Sequence, residues 1–507
     1  MPAQTLDQVC ATYVDAATLS TRPGVVFVGP YGQRVSFASQ QRRALNTVWA
    51  IEQANRIKSG SDVAVIGGGL AGLTVAAALL ARNCIVWMYE AKPNVLVRQA
   101  QTKHRFIHPT VNFWPERGLS GTTQFPFFDW YSSYCSGVID LIEAEWIEHF
   151  RDNISETYFR TKVTDLGFDV ADDKVVVTAV GSGPASKKFD QVFVATGFGD
   201  EKEVEGALNI KYWDKDEIDV WDDTGKAVFI SGTGDGGLID ALRFVHAEFD
   251  RGRLPVTLAT ALSGTGLASQ VAAVESGILT EAKGDPIQAS ELYSAHYSGI
   301  VEKMTPALRK ILSGLVTNRE VTLVGQLPAP YAIGAAPIHK LMIAHAMMNG
   351  ALDYRQGTIK DGPEIALPDG SVEDLSASVV LVRHGPVSPL IELIGEVDDA
   401  LLKDRQNAIR DLVGDPPCDG SYWRGLEGYP EQEILSPSFA CFRFPLAAAF
   451  MAREYKASLA VDISAGPVRY ITAPALGVPD PGFAPPGDLF GVPMIAKTQP
   501  VAEAYAW

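Results

Sequence analysis

The chain has 507 residues, of which 47% are hydrophobic, and its formal net charge is −17. This length predicts two or three domains with a sizeable core. The acidic excess argues against nucleic acid or an anionic membrane as partner, and no apolar run reaches the roughly 18 residues that a spanning helix needs. The N-terminus lacks a basic start and a hydrophobic signal core, so the expectation is a soluble, cytoplasmic protein.

Residues 1–60 are interpreted as an N-terminal segment ahead of the first domain. The turn residues Gly29-Pro-Tyr-Gly32 between apolar runs predict a β-hairpin over 25–37. A helix is predicted over 39–58, with Ser39 as its N-cap, because a Ser hydroxyl can accept a hydrogen bond from a free N–H group of the first turn.

A complete strand–turn–helix–strand unit is predicted over 63–90. An apolar strand leads into Gly67-Gly-Gly-Leu-Ala-Gly72, which has the G-x-G-x-x-G form. In this form the first glycine allows a tight turn, the second lets backbone approach a pyrophosphate, and the third lets helix pack on strand. Glu90 ends the next strand, where it can accept hydrogen bonds from both adenosine ribose hydroxyls and would repel a 2′-phosphate. The residues predicted to hold a dinucleotide are Gly67, Gly69, Leu70, Ala71, Gly72 and Glu90, against the alternative of a glycine-rich turn without a ligand.

The stretch 100–160 follows this unit closely and is rich in aromatic side chains. Arg98 and Arg105 are candidates for contact with the pyrophosphate, although both fit surface positions equally well. His108 is the first candidate for a proton-handling residue, because histidine titrates near neutral pH. Two interpretations of the stretch stay open: a cavity for a planar or apolar substrate, and an insertion that packs its aromatic rings as core.

A second, less regular unit is predicted over 227–260. Its loop, Gly232-Thr-Gly-Asp-Gly-Gly237, again has the G-x-G-x-x-G form, and the residues predicted to bind nucleotide are Gly232, Gly234 and Gly237. A helix is predicted over 238–249 and a strand over 254–260. Asp235 would repel a pyrophosphate unless it caps the helix or turns away, and no acid ends the predicted strand. Nucleotide binding and a turn that has lost its ligand therefore both stay open.

The rest of the chain is predicted to complete these two units. A helical insertion is expected at about 285–315. Residues 366–386 predict a hairpin with a tight turn at Asp369-Gly370, followed by a return strand that leads to His384, the second catalytic candidate. From Pro467 onward, eight prolines indicate an extended tail.

Two such units in one chain resemble the flavoproteins with two dinucleotide-binding domains, which include flavin monooxygenases, N-hydroxylases and pyridine-nucleotide reductases. Residues 189–199 are similar to the segment that closes the first half of their FAD domain, with Ala195, Thr196 and Gly197 as its A-T-G. The resemblance implies FAD at the first motif and NAD(P)H at the second. It also implies an α/β fold of two Rossmann-like domains, with aromatic-rich and helical insertions, in which the NAD(P) domain interrupts the FAD domain. The implied boundaries are 61–219 and 391–465 for the FAD domain, 220–390 for the NAD(P)-binding-like domain and 466–507 for the tail.

Three departures from the superfamily pattern limit what it implies. The G-D pair that reaches the flavin late in such FAD domains has no match in 437–444. The five cysteines have neither C-x-x-C nor C-x-x-x-x-C spacing, which argues against a disulfide reductase and against a zinc or iron–sulfur site. The fingerprint of Baeyer–Villiger monooxygenases ahead of the second motif fails at Ile210, which stands in the histidine position.

The favoured function is an FAD-dependent, NAD(P)H-using monooxygenase of a small organic substrate, because oxygen is the natural electron acceptor where redox cysteines are missing. The first alternative is an amine or amino-acid oxidase with a vestigial second nucleotide site. The second is a non-catalytic nucleotide-binding module, which the missing G-D pair favours. No metal is expected, and a homodimer, the substrate and the choice between NADH and NADPH stay open.

Overall fold

The computed structural model describes residues 5–29, 35–216, 218, 226–247, 249, 253–315, 319–409 and 423. The helices are α1 (Leu6–Ala17), α2 (Phe37–Gln53), α3 (Leu70–Ala81), α4 (Val97–Ala100), α5 (Cys135–Glu145), α6 (Asp235–Val245), α7 (Leu254–Ser263), α8 (Gly266–Glu281), α9 (Pro286–Glu302), α10 (Pro306–Ile311), α11 (Pro337–Met348), α12 (Ile391–Ile394) and α13 (Glu396–Ile409). The strands are β1 (Val25–Phe27), β2 (Asp62–Ile66), β3 (Ile85–Tyr89), β4 (Phe106–Ile107), β5 (Ser133–Tyr134), β6 (Glu156–Tyr158), β7 (Thr161–Asp169), β8 (Lys174–Gly181), β9 (Ser186–Phe189), β10 (Gln191–Val194), β11 (Val228–Ser231), β12 (Val321–Gly325), β13 (Asp353–Gln356), β14 (Thr358–Lys360), β15 (Glu364–Ala366), β16 (Val372–Asp374) and β17 (Val379–Val382). None of the described helices is both long and apolar enough to cross a membrane.

The chain forms two compact units. The first unit contains the described residues up to Lys103, Gly121–Gly199 and the described residues from Ser388 on. The second unit contains His104–Ser120 and the described residues of Asp200–Val387, so it interrupts the first along the chain. The predicted boundaries of the domains stay predictions. Most of the predicted return segment and the whole predicted tail lie outside the described residues.

The first unit is built on a five-stranded parallel sheet in the order β1-β10-β2-β3-β6. The inner strands are continuous apolar runs because both faces of the sheet are covered. One face packs on the antiparallel sheet β7-β8-β9, where Ala64 and Ile66 meet Val175 and Val177. Residues whose side chains point to the other face of the sheet, such as Val65, are also buried. Helix α3 leaves this sheet directly after β2 and packs on α2.

The N-terminal segment differs from its prediction. Strand β1 is not one arm of a hairpin: it is a sheet strand, parallel to β10, with Val25 opposite Val192. All three of its residues are buried, which suits a parallel sheet and not a half-exposed hairpin. Residues 30–34, which contain most of the predicted turn, lie outside the described part. The predicted helix is present as α2, but Ser36 is the N-cap and Ser39 is its capping-box partner three residues later.

The second unit repeats the layering of the first. Its parallel sheet has the order β13-β12-β11-β17. Strand β11, which precedes the second glycine loop, lies between β12 and β17, just as β2 lies between β3 and β10 in the first unit. One face of this sheet packs on helices of the unit, and the other packs on the three-stranded antiparallel sheet β14-β15-β16. The predicted fold class, an α/β protein with two Rossmann-like parallel sheets, is confirmed.

The strand predicted over 254–260 is wrong, because this segment forms helix α7. Pro255 lies in the first turn of the helix, where its fixed φ and missing N–H are tolerated. Short apolar runs do not distinguish a strand from a buried helix. The strand that follows α6 in the sheet is β12, and helices α7–α10 form an insertion between them. The predicted helical insertion at about 285–315 is present as α9 and α10.

The predicted hairpin and return strand are both present. Strands β15 and β16 are antiparallel, with Ala366 opposite Val372, and the turn between them contains Gly370 at φ 87°. Strand β17 then returns to the sheet parallel to β11, with Val382 opposite Ser231. The return strand therefore delivers the residues after Val382, including His384, to the edge of the sheet where the second glycine loop begins.

Candidate functional site

The first glycine loop connects β2 to α3 and requires two of its glycines for packing. Gly67 has φ 107°, and a Cβ there would collide with the carbonyl oxygen of Ala195 at the end of β10. A Cβ on Gly72 would collide with the carbonyl oxygen of Gly67. The loop is therefore held between the ends of two parallel strands, which is the position where open α/β sheets bind ligands.

Gly69 differs from these two because its surroundings are open. It is the N-cap of α3, no side chain caps this helix end, and a Cβ built on Gly69 would meet nothing within 4 Å. Leu73 N donates to Gly69 O at 2.9 Å, so the N–H groups of Leu70, Ala71 and Gly72 precede the first intrahelical hydrogen bond from this cap. An open helix N-terminus of this kind suits a pyrophosphate.

Glu90 follows β3 and turns back to the loop. Its Oε2 accepts a hydrogen bond from Gly68 N at 2.6 Å, and its Oε1 accepts one from Lys92 N at 2.6 Å. A carboxylate oxygen can accept two hydrogen bonds, so both oxygens keep a lone pair for ribose hydroxyls. The backbone thus fixes the carboxylate beside the open N-terminus of α3, and these residues fit the adenosine half of FAD.

The A-T-G segment follows β10 at the same edge of the sheet. Ala195 is buried against Gly67, whereas Thr196 and Gly197 are exposed. The Arg98 guanidinium donates a hydrogen bond to the carbonyl oxygen of Gly199, which ends this segment. The structure therefore brings Arg98 and the A-T-G segment together within the first unit, and their contact with a cofactor stays a prediction.

The second glycine loop reproduces the geometry of the first. Gly232 has φ 127°, and a Cβ there would collide with the carbonyl oxygen of Arg383 at the end of β17. A Cβ on Gly237 would collide with the carbonyl oxygen of Gly232. Gly234 is the N-cap of α6 without a side-chain cap, and a Cβ there would meet nothing within 4 Å. All three positions therefore behave as their counterparts in the first loop do.

The carboxylate of Asp235 turns away from the open end of this loop. Its Oδ1 accepts a hydrogen bond from Ala336 N at 2.7 Å, at the start of α11, and lies 2.9 Å from His339 Nδ1. A carboxylate in this loop would repel a pyrophosphate unless its side chain capped a helix or pointed away from the ligand. Here the side chain satisfies an N–H at the beginning of a neighbouring helix, which leaves the N-terminus of α6 to a ligand.

His384 lies beside the second loop. Its Nε2 is 2.6 Å from the hydroxyl oxygen of Ser231, the residue directly before Gly232. Burial, with a smaller effect of Lys202, holds the pKa of His384 below its usual value, so the imidazole is neutral at physiological pH. Ser231 was not among the predicted site residues. The structure places His384 next to the second glycine loop, and its catalytic role stays a prediction.

His108 has the geometry of a structural acceptor. Its Nδ1 accepts hydrogen bonds from Thr110 N and Val111 N, both at 3.1 Å. Burial lowers the pKa of His108 to about 3, so the ring does not gain a proton near neutral pH. These two bonds hold the turn before the short 3₁₀ helix Val111–Phe113. The proton-handling role of His108 stays a prediction, and this arrangement gives no reason for it.

The part of the aromatic stretch that begins at Gly121 forms core packing in the first unit. Phe127 and Phe128 lie edge-on to Phe150, with ring centroids 5.7 and 5.3 Å away. Trp130 Nε1 donates to Gln41 Oε1 at 2.7 Å, so its polar atom is satisfied inside the core. Of the two open interpretations, the described residues fit the insertion that packs its aromatic rings.

Arg105 lies in a buried charge cluster of the second unit. Its Nη2 is 2.9 Å from Asp240 Oδ1, and Arg383 Nε is 2.7 Å from Asp240 Oδ2. Arg243 Nη2 is 2.7 Å from Asp216 Oδ1. We call these five residues the arginine cluster. Contact of Arg105 with a pyrophosphate stays a prediction, but this guanidinium is engaged in an ion pair at a side chain that is 3% exposed.

The arginine cluster connects the two sides of the second glycine loop. Asp240 and Arg243 lie on α6, and Arg383 follows β17, whose end packs on Gly232. Burial by itself would raise the pKa of the Asp240 carboxyl, but Arg105, Arg383 and Arg243 outweigh it and hold the pKa at about 2. Asp240 is therefore ionised, and it ties the helix to the end of the return strand.

Replacing Asp240 with Asn is expected to destabilise the protein by about 3–5 kcal/mol at pH 7, because three arginines would then share a buried site with one carboxylate fewer. Urea unfolding followed by circular dichroism measures this change. Because the folded-state pKa of Asp240 is depressed, its contribution is present above the unfolded pKa near ~4 and is lost as pH falls through about 2. The deficit of the variant should therefore shrink on acidification.

The matched control is Asp200→Asn in the same unit. Asp200 pairs with Lys211 at 3.1 Å, but both side chains are about half exposed. An exposed pair of this kind contributes about 1 kcal/mol or less. Equal losses of stability in the two variants would contradict the claim that the buried carboxylate of Asp240 contributes more stability than an exposed ion pair.

Residues 61–248 match the family described as pyridine nucleotide-disulphide oxidoreductase. This match confirms the predicted superfamily, the class of FAD-dependent oxidoreductase and the predicted cofactors, FAD and NAD(P)H. No curated protein matched the chain.

Among solved structures, the chain is similar to bacillithiol disulfide reductase from Staphylococcus aureus, with 12% identity over 66% of this chain and 80% of that one and a TM-score of 0.38. It is similar to cyclohexanone monooxygenase, with 13% identity over 66% and 75% and a TM-score of 0.33. It is also similar to T. acidophilum thioredoxin reductase, with 12% identity over 66% and 80% and a TM-score of 0.32. These overlaps are too loose to bear on the reaction.

Proposed function

We propose that the protein is an NAD(P)H-dependent flavin monooxygenase that oxygenates a small organic substrate in the cytoplasm. The observation that carries the proposal is that the second glycine loop keeps the three-glycine geometry of the first, with an open helix end at Gly234. A loop that had lost its ligand would have no need of that open position. In the overall reaction, NAD(P)H supplies two electrons, one oxygen atom of O₂ enters the substrate and the other leaves as water.

The chain's own residues hold the two nucleotides in this proposal. The N-terminus of α3 at Gly69 and the carboxylate of Glu90 bind the adenosine diphosphate half of FAD. The N-terminus of α6 at Gly234 binds the pyrophosphate of NAD(P)H. Bound FAD would supply the redox chemistry that this reaction needs, since protein side chains do not carry out hydride and oxygen chemistry by themselves. The protein supplies position and charge.

The described cysteines support oxygen over a disulfide as electron acceptor. Burial raises the pKa of the Cys84 thiol to about 12, and burial also raises that of Cys10. Cys135 is buried, and its thiol donates to Gln99 O at 3.6 Å. A thiol that exchanges with disulfides needs a lowered pKa and access to solvent. Cys418 and Cys441 lie outside the described residues.

The test is oxygen incorporation. A panel of amines, ketones and aromatic compounds would be screened for stimulation of NADPH oxidation under oxygen-18. A stimulating compound whose product carries one oxygen-18 atom is the expected result. Flavin bleaching by amines or amino acids without any nicotinamide would instead identify an oxidase. Flavin that responds to neither class of reductant would identify a non-catalytic nucleotide-binding module.

A further inference from the structure

The two glycine loops can be aligned residue by residue through their hydrogen bonds. Gly67 N donates to Tyr89 O at 2.8 Å, and Gly232 N donates to Val324 O at 2.9 Å. The sheet registers agree, because Ile66 lies opposite Tyr89 and Ser231 lies opposite Val324. The residue that follows Tyr89 is Glu90. The residue that follows Val324 is Gly325, which therefore occupies the position of Glu90 in the second unit.

A second residue changes together with this one. The residue between the first two glycines is Gly68 in the first loop and Thr233 in the second. A Cβ on Gly68 would lie 3.0 Å from Glu90 Oε2, so Gly68 leaves the space that the Glu90 carboxylate uses. A Cβ on Gly325 would collide with the Thr233 methyl group. In each unit, one of the two positions is a glycine and the other occupies the shared space, which in the second unit also borders the Tyr354 hydroxyl, 3.1 Å from a Cβ on Gly325.

This exchange changes the charge of the site. In the first unit the shared space holds a carboxylate, and in the second it holds an uncharged hydroxyl and methyl. After Gly325, the side chains at the described strand ends are the neutral amides of Gln326 and Gln356. The Nε2 atom of Gln356 donates a hydrogen bond to the Gln326 carbonyl oxygen at 3.0 Å. On β13, the Arg355 charge is paired with Glu373.

We propose that the Thr233–Gly325 pair makes the second site accept a 2′-phosphorylated dinucleotide, so that NADPH binds there at least as well as NADH. Glu90 restricts the first site to a dinucleotide with both ribose hydroxyls free, since a carboxylate repels a 2′-phosphate. The inference rests on the proposed function, which assigns the second loop to a nicotinamide dinucleotide. Thr233 and Gly325 are then the residues that set the cofactor specificity.

The test replaces Thr233 and Gly325 of the second unit with the glycine and glutamate that stand at the equivalent positions of the first unit. Binding of NADP⁺ and NAD⁺ to the flavin-loaded protein would be measured by calorimetry, which needs no turnover. The double variant Thr233→Gly with Gly325→Glu should bind NADP⁺ about a hundredfold more weakly relative to NAD⁺, because the added carboxylate would repel the 2′-phosphate at close range. The matched control is Thr233→Gly with Gly325→Gln, which has nearly the same shape and no charge, and it should keep NADP⁺ binding.

The outcomes separate the inference from the proposed function. Equal loss of NADP⁺ affinity in the Glu and Gln variants would overturn the role of charge. Natural protein that binds NAD⁺ but binds NADP⁺ more than about tenfold more weakly would overturn the inference and leave the proposed function intact. Natural protein that binds neither nucleotide would overturn both. Flavin content and thermal unfolding verify that each variant is folded, and Gly325→Glu alone should be less stable because Thr233 occupies the space.

Discussion

Replacing Gly69 with Asp is expected to give a folded protein that purifies without flavin. The new side chain would stand at the open end of α3, where a carboxylate repels the pyrophosphate and occupies its place. The fold should not suffer, because a Cβ at Gly69 meets nothing within 4 Å and the N-cap backbone is extended. Asp is a better N-cap than Gly by a few tenths of a kcal/mol. The ratio of visible to ultraviolet absorbance measures flavin content directly.

The stability comparison needs the right reference. Bound FAD itself stabilises the folded state, so the thermal unfolding midpoint of Gly69→Asp should be compared with that of flavin-free natural protein. We expect the two to agree closely. Gly72→Ala provides the contrast, because a Cβ there would collide with the Gly67 carbonyl oxygen and unfolding should occur earlier. Full flavin content in Gly69→Asp would refute the placement of FAD at this loop.

Replacing Gly234 with Asp is expected to leave flavin bound and to slow its reduction by NADPH by about a hundredfold or more. Gly234 is the counterpart of Gly69, since it caps α6 and a Cβ there meets nothing within 4 Å. The added carboxylate would face the pyrophosphate of the second nucleotide. Anaerobic stopped-flow absorbance, which follows the loss of the flavin band after mixing with NADPH, gives the rate.

The two substitutions form a matched pair because they make the same change at equivalent positions. One should remove the flavin, and the other should remove only the response to NADPH. Reduction of Gly234→Asp by dithionite at the natural rate would show that its flavin is intact. A Gly234→Asp protein that NADPH reduces as fast as the natural one would place the nicotinamide nucleotide elsewhere.

The sequence predicted residues 63–90 of the first unit well because the signals in this segment are local. Gly67, Gly72 and Glu90 belong to one continuous stretch, and the strand, loop, helix and strand follow one another without an insertion. The prediction for the second unit failed where this continuity ends. The run 254–260 is apolar and short, so a strand and a buried helix were both compatible with it. The true partner strand, β12, lies beyond four helices, and only the sheet register identifies Gly325 as the counterpart of Glu90.

The arginine cluster could not be predicted from the sequence for another reason. Arg105, Asp216 and Arg383 lie far apart in the sequence, and nothing in the local pattern of a charged residue reveals a buried partner. His108 shows the same limit in reverse, because a histidine near a nucleotide motif suggests proton transfer until its two backbone donors are seen. The aromatic stretch was predicted in both senses, and only packing could choose between them.

The most direct measurement of the central claim is the visible spectrum of the purified protein before and after NADPH is added without oxygen. Two functional dinucleotide sites predict flavin absorption bands that bleach on addition of NADPH. Bands that persist with both NADPH and NADH would contradict a working second site. A colourless protein that cannot be reconstituted with FAD would contradict the first site as well, and with it the assignment of the protein as a flavoenzyme.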